Sequence, residues 1–236
     1  MKHDSVKVMV LNGWAASPQA WDLCGFMNGS ALDGGQAMLF SYVDQLDGKP
    51  EREFEKGGRF ILVGWSMGGS SALRLACRYR DQIAGLVLVA ATPRMMEDRD
   101  SGWMGMSPRR LEALRKGLEL TKGQGFFGIP EGKPNPYMQD DPVNLERGLR
   151  YLLETDIRAD VERTFCSGCD FPVQVFQSEH DGIVRRSNAI WIGKVFPKAK
   201  ISMVEGGEHA LPIMVSGQID AAVSSMKMYS VQWRYG

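Results

Sequence analysis

The chain has 236 residues, 44% of them hydrophobic and 24% charged, with 28 basic side chains balancing 28 acidic ones. That length supports one large α/β domain with a substantial core, and zero net charge argues against a nucleic-acid partner. No apolar run approaches the roughly 20 residues of a membrane span. The opening residues lead straight into a strand without the apolar segment of a secretory leader, so a cytoplasmic protein is expected.

In chain order, residues 6–11 read as a buried strand. Asn12-Gly13-Trp14-Ala15-Ala16 is a loop, and Ser17-Pro18 starts a predicted helix over 19–27. Residues 37–42 form a second strand. Residues 60–63 form a third, which runs into Gly64-Trp65-Ser66-Met67-Gly68 and a helical pattern over 70–79. Residues 83–91 give the near-continuous apolar run of a strand covered on both faces. Residues 173–178 and 200–204 are the fifth and sixth strands, with a helix at 187–196 between them and another at 211–228.

Strands alternating with helices specify an α/β fold with a mostly parallel, doubly wound sheet of about six strands. Residues 93–169 break the rhythm. They carry helical patterns at 108–120 and 144–153 around a Gly/Pro-rich stretch, and no clear strand. The expected organisation is a body of residues 1–92 and 170–236 with 93–169 inserted as a helical lid over the C-terminal edge of the sheet. A helical decoration with no role in binding is the other reading.

The strand–Gly-x-Ser-x-Gly–helix context around Ser66 is that of a nucleophile on a sharp turn. The turn strains the serine backbone and crowds the positions two residues to either side, where Gly64 and Gly68 have no side chain to collide. Ser66 then stands at a helix N-terminus, where backbone N–H groups favour an anion. An ordinary tight connection is the plain alternative.

Ser66 needs a base, and the base an orienting acid. Of the three histidines, His3 precedes the first strand, at the far end of the sheet. His209 lies in a loop just after the last strand and is the expected base. Asp181, after the fifth strand, gives the order Ser, Asp, His that this architecture uses. It would hold one imidazole tautomer and stabilise the imidazolium. Before Gly182 it also reads as a turn residue. Glu179 competes as the acid, and His180 is a neighbour. The backbone N–H groups of Met67 and Trp14 are the expected oxyanion donors, with the Trp14 indole as an apolar wall of the pocket or plain core packing.

The set calls for no cofactor and no metal. Cys24 and Cys77 fall on helical patterns as small core residues. Cys166-Ser167-Gly168-Cys169 lacks the further ligands that zinc requires, and it precedes a strand, whereas a redox pair is expected at a helix start.

Together these residues resemble the α/β-hydrolase superfamily and, within it, the pimeloyl-[acyl-carrier-protein] methyl ester esterases of biotin synthesis. The resemblance runs through the Gly13-Trp14 loop, residues 64–69 and 86–93, the Leu152-x-x-Thr155-Asp156-Ile157-Arg158 run, Asp181-Gly182-Ile183-Val184 and Glu208-His209-Ala210. Asn12 stands where such proteins commonly have His, and the usual N-terminal hairpin is missing. The resemblance implies a serine esterase that releases methanol from a pimeloyl methyl ester on phosphopantetheine and binds an acidic carrier protein through basic lid residues. Arg109, Arg110, Arg115, Lys116 and Lys122 face only Glu112 and Glu119 in that segment, a local net charge of +3. That excess would steer an acidic partner or is simply a solvated helix face. Phe126 and Phe127 would line the acyl channel or pack the lid's own core. A small-molecule carboxylesterase or thioesterase, a lyase or carbon–carbon hydrolase, and a non-catalytic hydrolase-fold binding protein are the competing readings. A monomer is expected.

Overall fold

The computed structural model describes residues 6–28, 37–121, 135–137, 140–206 and 208–232. Strand β1 (Lys7–Leu11) is followed by two short 3-10 turns, Pro18–Trp21 and Gly25–Asn28. The sequence predicts one helix there. Instead the second turn is held from outside, because the carboxylate of Asp220 accepts the N–H groups of Gly25 (2.7 Å) and Phe26 (3.1 Å). Next come β2 (Met38–Phe40), α1 (Tyr42–Leu46) and α2 (Lys49–Glu55). Both helices are absent from the sequence reading, although α1 opens on a capping box in which Ser41 and Asp44 satisfy each other's backbone N–H.

The chain continues through β3 (Phe60–Trp65), α3 (Met67–Arg78), β4 (Ile83–Val89), α4 (Pro108–Thr121), α5 (Pro142–Glu154), α6 (Arg158–Phe165), β5 (Val173–Ser178), α7 (Ser187–Val195), β6 (Lys200–Val204), α8 (Leu211–Met214) and α9 (Ser216–Gln232). The single terminal helix expected over 211–228 is broken at Val215, whose φ of −120° leaves the helical region.

All six strands are parallel, in the order β2-β1-β3-β4-β5-β6. Central strands carry apolar side chains on alternate sides, and each set enters a different core. Val8, Val10, Ile61, Val63, Val87 and Val89 pack with Trp21, Phe26, Ile219 and Val223. Met9, Leu11, Phe60, Leu62, Leu86 and Leu88 pack with Phe54, Leu73, Val161, Phe165 and Ile192. Burial on both faces explains the unbroken apolar runs. The buried Cys24 thiol is pushed up to about 12, first by burial and then by the charge of Asp220.

The strand order reverses at β1. The connection from β1 leads outward to β2, and the chain then returns to place β3 on the other side of β1. Loops leaving adjacent strands in opposite directions open a crevice at their C-terminal ends.

The stretch 93–169 does not pack as one unit. Leu111 of α4 and Leu145, Leu149 and Leu152 of α5 join the core that contains Trp14 and Met67. Val161 and Phe165 of α6 join the opposite core, beside α3 and α7. At the neck between them Arg158 bonds Asp156 (2.7 Å), Asp98 (2.8 Å) and Ser101 (2.9 Å), and Arg94 pairs with Asp156. The Thr155-Asp156-Ile157-Arg158 run is therefore part of an ion-pair clasp joining both ends of the insertion. Arg158, with Arg94, holds the Asp156 carboxyl down to about 2.

A carboxyl with a depressed pKa stabilises the fold fully above the unfolded aspartate value near 3.9, and this contribution is lost as pH falls through the folded value. Asp156→Asn should lower the thermal midpoint at pH 7, and the gap to the unsubstituted protein should close between about pH 4 and pH 2. Unfolding curves across that range test the clasp, and a gap independent of pH would remove the carboxylate from it.

Candidate active site

At the crevice, β3 turns sharply into α3. Ser66 sits on that turn at φ 56°, ψ −118°, a conformation seldom occupied by residues other than glycine. Its surroundings leave no room for neighbouring side chains. A Cβ on Gly64 would lie 2.5 Å from the Gly68 carbonyl oxygen, and one on Gly68 would lie 2.0 Å from the Leu11 carbonyl oxygen. The two glycines thus let the turn close against the end of β1.

Loops from two further strands meet this turn. His209 follows β6, and its Nε2 lies 2.9 Å from Ser66 Oγ. Asp181 follows β5, and its Oδ2 lies 2.9 Å from His209 Nδ1. The other oxygen of Asp181 accepts the N–H groups of Ile183 (2.8 Å) and Val184 (2.9 Å), so the turn role and the role beside His209 are filled by one side chain. Ser66 is 7% exposed, Asp181 7% and His209 4%, a degree of burial at which polar groups need partners. In this line the imidazole can take the Ser66 proton while Asp181 keeps Nδ1 protonated. Glu179 and His180, the competing neighbours, are exposed, and His3 lies outside the described residues.

Two supporting residues escape the sequence reading. The Trp65 indole N–H donates to the His209 carbonyl (2.9 Å), with the rings 5.7 Å apart, and so anchors the loop that carries the imidazole. Gln177, fully buried on β5, donates to Val184 O (2.8 Å) and reaches Asp181 Oδ2 at 3.5 Å. Gln177 gave little signal, because β5 reads Val-Gln-Val-Phe-Gln-Ser and polar residues fill three of its six positions. Trp65 carried none, since the position inside Gly-x-Ser-x-Gly tolerates many side chains.

Met67 opens α3, so its N–H has no carbonyl one turn back. Neither it nor the Trp14 N–H makes a hydrogen bond among the described residues. The Trp14 indole donates to the Leu145 carbonyl of α5 (3.2 Å) and also lines the site. Above Ser66 is a narrow cleft walled by Trp14, Trp65, Met95, Leu111, Leu114, Tyr137, Leu152 and Ile183. The Tyr137 phenol is held well above its usual pKa, by burial first and then by the charges of Asp181 and Glu208, so it stays neutral.

The expected basic surface is largely tied up. Arg115 forks onto Glu112 (2.7 and 3.0 Å) and bonds Glu119 (2.6 Å), all within α4. Lys116 lies 3.9 Å from Glu112. Arg110 donates to the Gly182 carbonyl (2.8 Å), tying α4 to the Asp181 turn. Arg109 is exposed and has no ion-pair partner among the described residues. Lys122, Phe126 and Phe127 lie outside the described residues. Cys166 and Cys169 are free thiols, Cys169 donating to Phe171 O (3.0 Å), and no group of three metal-ligating side chains occurs among the described residues. No helix among them is long and apolar enough to cross a membrane.

Gly68→Ala should drive a methyl group into the Leu11 carbonyl. The expected cost is on the order of 1–3 kcal/mol, with a marked slowing of Ser66 phosphonylation. Thermal unfolding and the labelling rate check this, and unchanged values in both would show that the turn does not need this glycine.

The Alpha/beta hydrolase family pattern matches residues 11–217. Among characterised relatives, the pimeloyl-[acyl-carrier protein] methyl ester esterase of Nitrosomonas europaea is 26% identical over 86% of this chain and 88% of its own. That of Chromobacterium violaceum is 28% identical over 63% of this chain and 62% of its own. Among solved structures, a hydrolase from Oleispira antarctica superposes with a TM-score of 0.72 at 14% identity, covering 95% of this chain and 91% of that one. The bromoperoxidase from Bacillus anthracis gives 0.69 at 18% identity, covering 94% and 91%. At such identities the structural likeness speaks for the fold, and the family match spans most of the chain: the protein belongs to the alpha/beta hydrolase family.

Proposed function

We propose that this protein is a serine carboxylesterase, with the methyl ester of a pimeloyl group on acyl carrier protein as its substrate. The observation that carries the hydrolase reading is the unbroken line from Ser66 Oγ through His209 to Asp181, with both links at 2.9 Å. Ser66 Oγ attacks the ester carbonyl carbon as His209 Nε2 takes its proton. The oxyanion is held by the N–H groups of Met67 and Trp14. His209 then gives the proton to the departing alkoxide, and methanol leaves. A water molecule, deprotonated by His209, attacks the acyl-Ser66 carbonyl; the Ser66–acyl bond then breaks as His209 returns that proton to Ser66 Oγ, releasing the carboxylic acid.

Two observations favour this substrate. The apolar cavity suits an uncharged ester and disfavours the carboxylate product, which aids release. The relatives named above carry this esterase name over much of their length. Arg109 and Lys116, at the exposed side of α4, remain candidates to meet an acidic carrier. Arg110 and Arg115 serve the protein's own hydrogen bonds first.

Ser66→Ala and His209→Ala should each lower turnover by at least about 10³-fold, since such residues act as a unit. Steady-state assays on a short p-nitrophenyl ester check this, and near-normal turnover in either variant would strike that residue from the mechanism. In a substrate panel, pimeloyl methyl ester on its carrier should exceed the p-nitrophenyl esters in kcat/KM. The double charge reversal Arg109→Glu, Lys116→Glu should raise KM for the carrier-bound ester alone. No change in that KM would leave a small-molecule esterase as the better reading.

A further inference from the structure

The loop after β1 supplies the expected second oxyanion donor, and its shape is unusual. Ala15 within it is held at φ 53°, a left-handed conformation that a residue with a Cβ adopts only when its surroundings impose it. The side chain of Asn12, 1% exposed, bonds the loop on both sides of Ala15. Its Oδ1 accepts the Gly13 N–H (3.1 Å) and the Trp21 indole N–H (3.0 Å). Its Nδ2 donates to the carbonyls of Ala16 (3.0 Å) and Ser17 (3.1 Å). Two acceptor directions and two N–H groups are thereby all used, the full capacity of a primary amide. Three of the four bonds go to the loop that Asn12 itself begins. Its main chain is pinned as well, with its N–H donating to Phe40 O (3.0 Å) and its carbonyl accepting Gln45 Nε2 (2.8 Å).

We propose that Asn12 is a positioning residue for ester hydrolysis, whose amide locks residues 13–17 in the conformation that offers the Trp14 N–H to the oxyanion. The inference rests on the Ser66 esterase reading. With the Gly13 N–H consumed by Oδ1, the Trp14 N–H is the next donor along the chain and has no acceptor among the described residues. The amide's two-sided chemistry is essential. A carboxylate in its place would turn acceptors toward the Ala16 and Ser17 carbonyls, and an aliphatic side chain would leave the Gly13 N–H, the Trp21 indole N–H and the Ala16 carbonyl without a partner, while the Ser17 carbonyl keeps the Ala20 N–H. In each case the loop loses the two bonds that Nδ2 donates to the Ala16 and Ser17 carbonyls beyond Ala15.

The test compares Asn12→Leu, Asn12→Asp and Trp21→Phe with the unsubstituted protein on a p-nitrophenyl ester. Trp21→Phe removes one bond to Oδ1 and leaves the amide's three bonds to the loop in place, so it loosens the amide less, and it serves if an Asn12 variant fails to fold. Folding is checked by circular dichroism and thermal unfolding. Loss of an oxyanion donor costs on the order of 10²–10³-fold in kcat. The folded Asn12 variants should therefore fall about 10- to 100-fold in kcat as the donor is misplaced, with KM within about twofold. Affinity for a trifluoromethyl ketone, which forms a tetrahedral oxyanion on serine, should fall in parallel, and the pH profile should keep its shape. Trp21→Phe should give a smaller loss of the same kind. Folded variants that keep kcat and ketone affinity within about twofold while losing only thermal stability would overturn the inference and leave Asn12 a scaffold residue. A phosphonate separates the two levels. No Ser66 adduct in the unsubstituted protein defeats the esterase reading itself, whereas normal labelling with fully active Asn12 variants defeats only the role of Asn12.

Discussion

The turn from β3 into α3 passes so close to the end of β1 that two side chains had to be given up for it to exist. With Gly68 against the Leu11 carbonyl, Ser66 is forced into its strained conformation, and the loop that follows β1 is brought alongside it. Everything else in the site is arranged around that contact. The strain is local and on the order of 1–3 kcal/mol. It persists because the two flanking strands lie in the middle of a sheet buried on both faces, where neither can shift without disturbing a close-packed core.

Around this turn the protein buries an unusual amount of polarity. Ser66, Asp181, His209, Asn12 and Gln177 are all nearly inaccessible. Burial of that kind calls for hydrogen bonds in place of lost hydration, which all of these side chains find except at Gln177 Oε1, left without a partner among the described residues. Asp181 accepts two backbone N–H groups as well as the imidazole, Trp65 ties down the backbone of His209, and Asn12 uses its whole amide. The same bonds that make burial affordable also remove freedom from the reacting groups. Satisfaction of polar groups and preorganisation of the site are here one set of contacts.

The insertion between β4 and β5 is fastened at three kinds of place. Leucines of α4 and α5 close the cavity over Ser66. Hydrogen bonds from Trp14 to Leu145 and from Ser17 N to Pro136 O bind it to the loop after β1. The Arg94–Asp98–Asp156–Arg158 clasp secures its neck. Of the arginines in α4, Arg115 turns its guanidinium onto two glutamates of the same helix, so a count of basic residues along that helix overstates the field it offers to a partner.

The sequence by itself determined the alternation of strands and helices, and it marked Ser66, Asp181 and His209 at the C-terminal ends of three strands. Both are local signals: apolar periodicity, a glycine-flanked serine, a short supply of histidines. Helix α1 was missed because five residues are too few to show a helical period, α2 because its apolar positions are few, and the segment 19–27 was misread because a distant carboxylate, Asp220, sets its turns. The placement of α6 on the body beneath α3 and the bond from Trp65 to the His209 carbonyl depend on contacts between residues far apart in the chain. Only the tertiary structure decided those, because a side chain's partner follows from how the strands and helices pack, and linear order does not encode that distance. Asn12 shows the division most clearly: in the sequence it is one changed residue before Gly-Trp, and in the fold it is the amide that holds the loop together.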